Sequence, residues 1–433
     1  MTSNKNIQNR SSGDTADTTD IAIIGAALSG LVCARILQRH GVQVTVYERD
    51  ADAATRQQGG DLDIHTKTGQ RALKDAGLHE EFLKNTIPGA ESLRVMDKTG
   101  HVVVDDQETG TSVGKGRPEI KREVLWRMLI DSLEPGTIRW GSKLTDVRAA
   151  SAGSVAGAAG GSGRGAGSAG ASGAGYDLEF DGGDTIHADL VIGADGAWSK
   201  VRTLLTPATP EYVGITLVEI RITDARTRHP EALAVVGGGS LFALSDSRYI
   251  GGHGGDQMAL AVGIRVPEDW ATADGVDWTD AAAGRDALLR ELPDWAPSLT
   301  DLIRNCDDTI WPRPIYALPT GTRWQHRPGV TLVGDAAHLM SPFAGEGANL
   351  ALIDGADLAR EILRASDADA AIVAYERRML PRGAKSAAES AKSLDMMFND
   401  TAPKQLVKMF RTGMLIRRGL RRFSTTRAHS PSN

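Results

Sequence analysis

The sequence predicts an α/β protein with a parallel-sheet domain, a β-rich second domain and a long helical region towards the C-terminus. Three observations lead to this fold class. A β-branched run at 21–24 is followed by a glycine turn, a helical pattern and another β-run at 42–47, the order that opens a parallel sheet. Residues 212–266 are rich in β-favouring residues with frequent glycine. After residue 350 the apolar spacing is helical.

Size and charge narrow the possible functions. With 433 residues, 41% of them hydrophobic, the chain can bury two domain cores. The 49 basic and 55 acidic residues give a formal charge of −6, so we expect no nucleic-acid partner.

Cysteine and histidine usage indicates the compartment and the metal content. Cys33 and Cys306 are too few for a disulfide framework, which favours a reducing, cytoplasmic setting. Neither they nor the ten histidines show metal-ligand spacing, so we expect no metal. We also expect no transmembrane segment, because no window reaches about 18 uninterrupted apolar residues.

The first glycine turn has the pattern of a dinucleotide-binding, Rossmann-like motif. Gly25 and Gly30 match its first and third glycines, and Ala27 stands at the second. An alanine adds only a methyl group, so the amides at the helix start can still face a phosphate. Glu48 follows the second β-run, where an acidic side chain accepts hydrogen bonds from a ribose. This turn is compatible with either NAD or FAD.

A second motif lies far downstream. An apolar strand is expected to end at Gly334, with Asp335 after it, before a loop that contains Gly345 and Gly347. A helix is expected to begin near Ala348. Glycines expose backbone amides and a helix N-terminus favours electron-rich oxygens, so the segment has the character of an anion site.

The motifs together resemble the class A flavoprotein aromatic hydroxylases, the family of para-hydroxybenzoate hydroxylase. The downstream segment resembles that family's second FAD motif, and residues 189–202 resemble its middle motif for FAD and the nicotinamide cofactor. Within the family, the chain is most similar to the tetracycline-inactivating monooxygenases. The resemblance implies that FAD is bound by Gly25, Ala27, Gly30, Glu48, Arg49, Asp63, Arg122, Asp195, Asp335, Pro342, Gly345, Gly347 and Asn349.

The substrate side departs from the tetracycline enzymes. Residues 258–264 are apolar where those enzymes carry a histidine and an aromatic residue, and Ser240 stands where they have an arginine. Phe343, in the loop between Asp335 and Gly347, does match the tetracycline enzymes and is expected to line the substrate pocket. Glu219 is a candidate polar contact, and Arg56 is expected to receive NADPH.

The resemblance also implies domain boundaries. We expect a loose tail at 1–19, an FAD-binding domain at 20–88, 110–208 and 303–350 with a flexible Ala/Gly/Ser insertion at 149–175, a substrate-binding domain at 89–109 and 209–302, a bridging helix at 351–400, and a basic helical tail at 401–433.

The implied activity is hydroxylation of a small electron-rich molecule, aromatic or polycyclic, with FAD, NADPH or NADH, and O2. A flavin C4a-hydroperoxide would supply the oxygen, so no catalytic side chain is assigned. His338 is expected to have a structural hydrogen-bonding role. A monomer is expected. An oxidase or reductase on the same fold and a non-catalytic flavoprotein that binds a ligand stay open as alternatives.

Overall fold

The computed structural model describes residues 19–55, 60–88, 90, 92–105, 117–150, 175–273, 275–404 and 408. Arg56, nearly all of the N-terminal tail, residues 151–174 of the insertion and most of the basic tail lie outside these residues. In the part of the chain that the structure describes, no helix is long and apolar enough to cross a membrane.

The strands and helices confirm the α/β class. The strands are β1 Ile21–Ile24, β2 Thr45–Tyr47, β3 Asp61–Asp63, β4 Leu93–Met96, β5 Val102–Asp105, β6 Glu119–Lys121, β7 Ile138–Arg139, β8 Leu144–Ala149, β9 Tyr176–Phe180, β10 Thr185–Ala188, β11 Leu190–Gly193, β12 Glu211–Ile222, β13 Ser240–Ser245, β14 Arg248–His253, β15 Met258–Arg265, β16 Trp311–Ala317 and β17 Val330–Leu332. The helices are α1 Leu28–Arg39, α2 Gly69–Asp75, α3 His79–Lys84, α4 Arg122–Asp131, α5 Ala225–Arg228, α6 Pro230–Val236, α7 Trp270–Ala273, α8 Ala281–Arg290, α9 Pro297–Arg304, α10 Asp335–His338, α11 Gly347–Arg364 and α12 Ala368–Met397.

The chain divides into two compact units, each built from separate stretches of sequence. Unit 1 comprises Met1–Thr86, Ile120–Glu211 and Tyr316–Ser390. Unit 2 comprises Ile87–Glu119, Tyr212–Ile315 and Ala391–Asn433.

Unit 1 contains a parallel sheet with the strand order β17-β11-β1-β2-β7. Ile21 pairs with Leu190 and Val191 pairs with Val330, so strands distant in the sequence lie side by side. All four residues of β1 are buried, as expected for a parallel strand that is covered on both faces. Because all five strands are parallel, their carboxyl ends and the turns after them lie at one edge of the sheet.

The second strand is shorter than the sequence predicts. It covers Thr45–Tyr47 instead of 42–47, because the N–H of Val42 donates to the carbonyl of Leu37 at 3.1 Å and closes the end of α1. Gly41 has a φ of +78°, the left-handed conformation with which helices often end.

The strands on either side of the insertion pair with each other. β8 and β9 are antiparallel, with Val147 opposite Leu178, and β10 completes a three-stranded sheet. Residues 151–174 therefore lie between two strands that pair with each other.

Unit 2 is built on a seven-stranded sheet with the order β16-β12-β15-β14-β13-β4-β5. One face carries Val218, Ile250 and Val262, which are fully buried in the hydrophobic core of this unit. Because successive side chains of a strand point to opposite faces, Phe242 and Ala261 lie on the other face. The β-rich region at 212–266 is therefore confirmed as strands.

The helical region expected at 351–400 forms two helices. α11 begins at Gly347, before the predicted start, and ends at Arg364. Asp367 caps the start of α12, because its Oδ1 accepts the N–H of Ala370 at 2.8 Å.

Candidate functional site

The first glycine turn in unit 1 has no space for side chains. Gly25 has a φ of +102°, and a Cβ added there would lie 2.4 Å from the carbonyl oxygen of Ala194. A Cβ at Gly30 would lie 2.6 Å from the carbonyl oxygen of Gly25. Both glycines therefore permit close packing between the turn, α1 and the sheet.

The start of α1 is suited to an anion. Ala27 is the N-cap, the cap carries no side-chain hydrogen bond, and the first turn of this helix contains no acidic residue. Helix N-termini carry a partial positive charge and attract phosphate. The turn therefore fits the pyrophosphate of a dinucleotide.

Glu48 lies directly beside this turn. It is 2% exposed, its Oε2 accepts the N–H of Ala26 at 2.7 Å and its Oε1 accepts the N–H of Asp50 at 3.0 Å. Trp126 supports the same turn, because its indole N–H donates to the carbonyl of Ala26 at 2.7 Å. Arg49, in contrast, is at the surface, with its side chain 74% exposed.

Asn349 joins the start of α11 to the segment after β3. It is fully buried, donates from Nδ2 to the carbonyl of Asp63 at 2.8 Å and accepts the N–H of His65 at 2.8 Å. The carboxylate of Asp63 lies 2.9 Å from Nε2 of His65. A Cβ added at Gly345 would lie 3.4 Å from Oδ1 of Asp63. The structure thus brings Asp63, Gly345 and Asn349 together.

Arg122 begins α4, and its N–H donates to the carbonyl of Gly60 at 3.1 Å. This bond places the start of α4 beside the segment that leads into β3.

The middle motif forms a capped turn. Asp195 accepts the hydroxyl of Ser199 at 2.5 Å and the N–H of Lys200 at 2.7 Å, and burial raises the pKa of this aspartate. Arg202, which the sequence reasoning did not assign, donates to the carbonyls of Ala197 at 2.5 Å and Ala336 at 3.1 Å. Arg202 therefore ties the middle motif to the Asp335 turn.

The flavin loop, defined here as residues 334–347, presents an open side. Asp335, Pro342 and Gly345 are exposed, and a Cβ at Gly347 would meet no atom within 4 Å. Gly347 starts the 18-residue helix α11, which has no side-chain cap bond and no acidic residue in its first turn. These features fit the electron-rich edge of a flavin or its phosphates.

The loop is held from behind by a buried carboxylate. Oδ2 of Asp354 accepts the N–H of Gly334 at 3.1 Å and lies 2.5 Å from Nε2 of His338. Oδ1 of Asp354 accepts Nη2 of Arg382 at 2.8 Å. Burial alone would lower the pKa of His338, but Asp354 outweighs it and raises the pKa. His338 is thus a structural partner of Asp354, which favours the protonated imidazole.

Unit 2 places Glu219 on β12. Its Oε1 lies 2.5 Å from Nη1 of Arg313, and its side chain is 45% exposed. Phe343 is half-buried within the flavin loop of unit 1.

The sequence reasoning also missed a polar group on the face of the unit 2 sheet opposite its hydrophobic core. His253 lies opposite Ser240 on one side and Ala259 on the other, and its Nδ1 is 2.8 Å from the buried carboxylate of Glu119. The predicted apolar run is present on β15, but the neighbouring strand supplies a histidine. Only strand register, which the sequence alone does not give, reveals this neighbour.

Comparison with known proteins identifies the family. Residues 18–236 and 319–390, well over half of the chain, match the family of the FAD binding domain, and the chain belongs to that family. It is 27% identical over 440 residues to the monooxygenase asqM of Emericella nidulans, covering 88% of this chain and 96% of the relative.

Solved structures share the fold. HpxO of Klebsiella pneumoniae, in complex with FAD and uric acid, has a TM-score of 0.70 at 20% identity, covering 91% of this chain and 92% of that one. Tetracycline destructase Tet(55) has a TM-score of 0.66 at 18% identity, covering 92% and 95%. The expected resemblance is confirmed: this chain is an FAD-dependent monooxygenase of the class A type.

We predict that Asp335→Ala weakens FAD binding at least about tenfold, because it removes a carboxylate at the exposed start of the flavin loop. Flavin fluorescence on titration of the protein measures this. Asp301→Ala, on α9 of unit 2, is the control and is expected to leave the affinity unchanged. Unchanged affinity in Asp335→Ala would remove this residue from the site.

We predict that the pair of His338 and Asp354 makes stability depend on pH. The raised pKa of His338 means that its stabilising contribution is complete below its ordinary value of 6.5 and is lost as the pH rises through the raised value. The melting temperature of the holoprotein should fall above that value. His338→Phe should flatten this dependence, and His187→Phe, on an exposed histidine, should not. Equal slopes in wild type and His338→Phe would contradict the prediction.

Proposed function

We propose that this monooxygenase consumes NADPH or NADH and uses O2 to hydroxylate a small, electron-rich aromatic or polycyclic molecule. The observation that carries the proposal is the face of the unit 2 sheet opposite its hydrophobic core. On that face Phe242, Gly251 and Ala261 lie in one row of the register, and the row beside it contains Ala259 and His253. Flat surfaces of small and aromatic residues suit a planar ring.

The cofactor site that we propose draws on both ends of unit 1. Gly25, Ala27 and Gly30 would hold the pyrophosphate, and Glu48 would accept ribose hydroxyls. Asp335 and the amides of the flavin loop would hold the ribityl chain and ring. The remaining proposed contacts are Arg49, Asp63, Arg122, Asp195, Pro342, Gly345, Gly347 and Asn349.

When bound, FAD supplies the hydride acceptance and oxygen activation that amino-acid side chains lack. The side chains then have to orient the substrate and exclude water. We propose that Phe343 contributes apolar surface to the pocket. His253, whose Nδ1 lies beside the Glu119 carboxylate, gives the unit 2 face a polar group for a hydroxyl or amide of the substrate. Glu219, paired with Arg313, is a further polar candidate.

The nicotinamide cofactor and the cellular setting are also proposals. Arg56 stays the proposed NADPH contact. A reducing cytoplasm is supported by two free, buried cysteines, and burial raises the pKa of the Cys33 thiol to about 12. We propose a monomer.

A substrate screen tests the function. Purified holoprotein is offered phenols, purines, quinolones and tetracyclines while NADPH and NADH oxidation is followed, and mass spectrometry looks for a gain of one oxygen atom. We expect a substrate to stimulate NAD(P)H consumption and to gain one oxygen. A product that is oxidised without gaining oxygen would instead indicate an oxidase.

We predict that Ala261→Phe lowers kcat/KM for that substrate at least about tenfold, because a benzyl group would fill this face of the sheet beside Gly251. FAD affinity should not change, because Ala261 lies in unit 2. Ala282→Phe, at an exposed position of α8, is the matched control. Normal kcat/KM in Ala261→Phe would place the substrate away from this face.

A further inference from the structure

We propose that α12 is the template that fixes the flavin loop, and that Arg382 and Ser390 are positioning residues for FAD. Three anchors on α12 hold the flavin loop and the strand that precedes it. They are Glu376, Arg382 with Gly383, and Ser390. Glu376, Gly383 and Ser390 are seven residues apart, about two helical turns, so they lie along one face of α12.

The first anchor fixes the strand that leads into the loop. Oε1 of Glu376 accepts the hydroxyl of Thr331 and the indole N–H of Trp324, each at 2.8 Å. The hydroxyl of Tyr375 donates to the carbonyl of Leu332 at 2.9 Å. The last residues of β17 are therefore bound to α12 immediately before the glycine turn.

The second anchor fixes the turn itself. Arg382 donates to two aspartates of α11, Asp354 at 2.8 Å and Asp357 at 2.7 Å, and Asp354 in turn accepts the N–H of Gly334. A Cβ at Gly383 would lie 3.0–3.1 Å from the ring and Cβ of His338. The imidazole therefore packs directly on the backbone of α12, and a larger residue would push it away.

The third anchor fixes the far side of the loop. Ser390 is fully buried, and its hydroxyl donates to the carbonyl of Ser341 at 2.5 Å. The hydroxyl of Ser341 lies 2.7 Å from that of Ser390. Pro342, the next residue, is exposed on the open side of the loop.

The arrangement gives α12 a role in cofactor geometry as well as in packing. The groups that α12 binds, such as Thr331 and Ser341, are buried. Asp335 and Pro342 of the loop are exposed. The loop contains the short helix α10 and a single 3-10 turn, so bonds from outside the loop contribute to its shape. A binding site loses function when its groups move by about 1 Å, and supporting bonds of this kind hold those groups in place.

Ser390→Ala provides the sharpest test, because it removes one hydroxyl and adds no bulk. Ser386→Ala is the matched control, since Ser386 is buried on the same helix but makes none of these bonds. The full-length holoprotein is used. We expect FAD to bind roughly tenfold more weakly in Ser390→Ala, which corresponds to about 1.4 kcal/mol, and the visible circular dichroism of the bound flavin to change. Ser386→Ala should keep both wild-type values.

A second variant covers the middle anchor. Arg382→Leu would leave two buried carboxylates without this cationic partner, which endangers folding. Arg382→Lys is therefore used. It keeps the charge but has no planar guanidinium to bind both carboxylates. We expect the flavin dichroism to change and FAD release to accelerate several-fold.

The proposal is wrong if Ser390→Ala and Arg382→Lys lower the melting temperature but keep the FAD affinity and flavin dichroism of the wild type. In that case α12 only stabilises the fold. The proposal rests on the assignment of the loop to FAD, which Asp335→Ala tests separately. An effect of Asp335→Ala without an effect of Ser390→Ala would reject the template and leave the loop assignment intact.

Discussion

The Asp354 carboxylate is the constraint on which the second half of the candidate site depends. It is fully buried and is satisfied by a backbone amide and an imidazole from α10 and its N-cap, and by a guanidinium from α12. A buried charge is tolerated only when its partners compensate the loss of water. Its position therefore fixes where β17, α11 and α12 meet, and with them the direction in which Asp335 faces.

The elements that the sequence predicted correctly are those whose signals are local. The turn at Gly25 and the β-rich region at 212–266 follow from glycine placement and β-branched runs. The strand expected at 42–47 was too long, because β propensity gave no sign that Val42 closes the end of α1. A local backbone bond decided that boundary.

The contacts that join the site could not be predicted, because they connect residues that are between 28 and 286 positions apart in the sequence. Asn349 was identified by resemblance, but its bonds to Asp63 and His65 appear only once β3 and α11 are side by side. The pairs Arg382 with Asp354 and Ser390 with Ser341 have no sequence signal. In unit 2, the neighbours of His253 became visible only through strand register.

The discontinuity of unit 1 has a consequence for biosynthesis. A ribosome delivers the chain from the N-terminus, and domains commonly begin to fold during synthesis. Here the first glycine turn emerges early, but β17, the flavin loop and Asn349 come from the last third of the chain, and the anchors on α12 come later still. The nascent chain therefore cannot assemble the complete candidate site until Ser390 has been synthesised. A chain truncated before Ser390 would lack one of the proposed supports of the flavin loop.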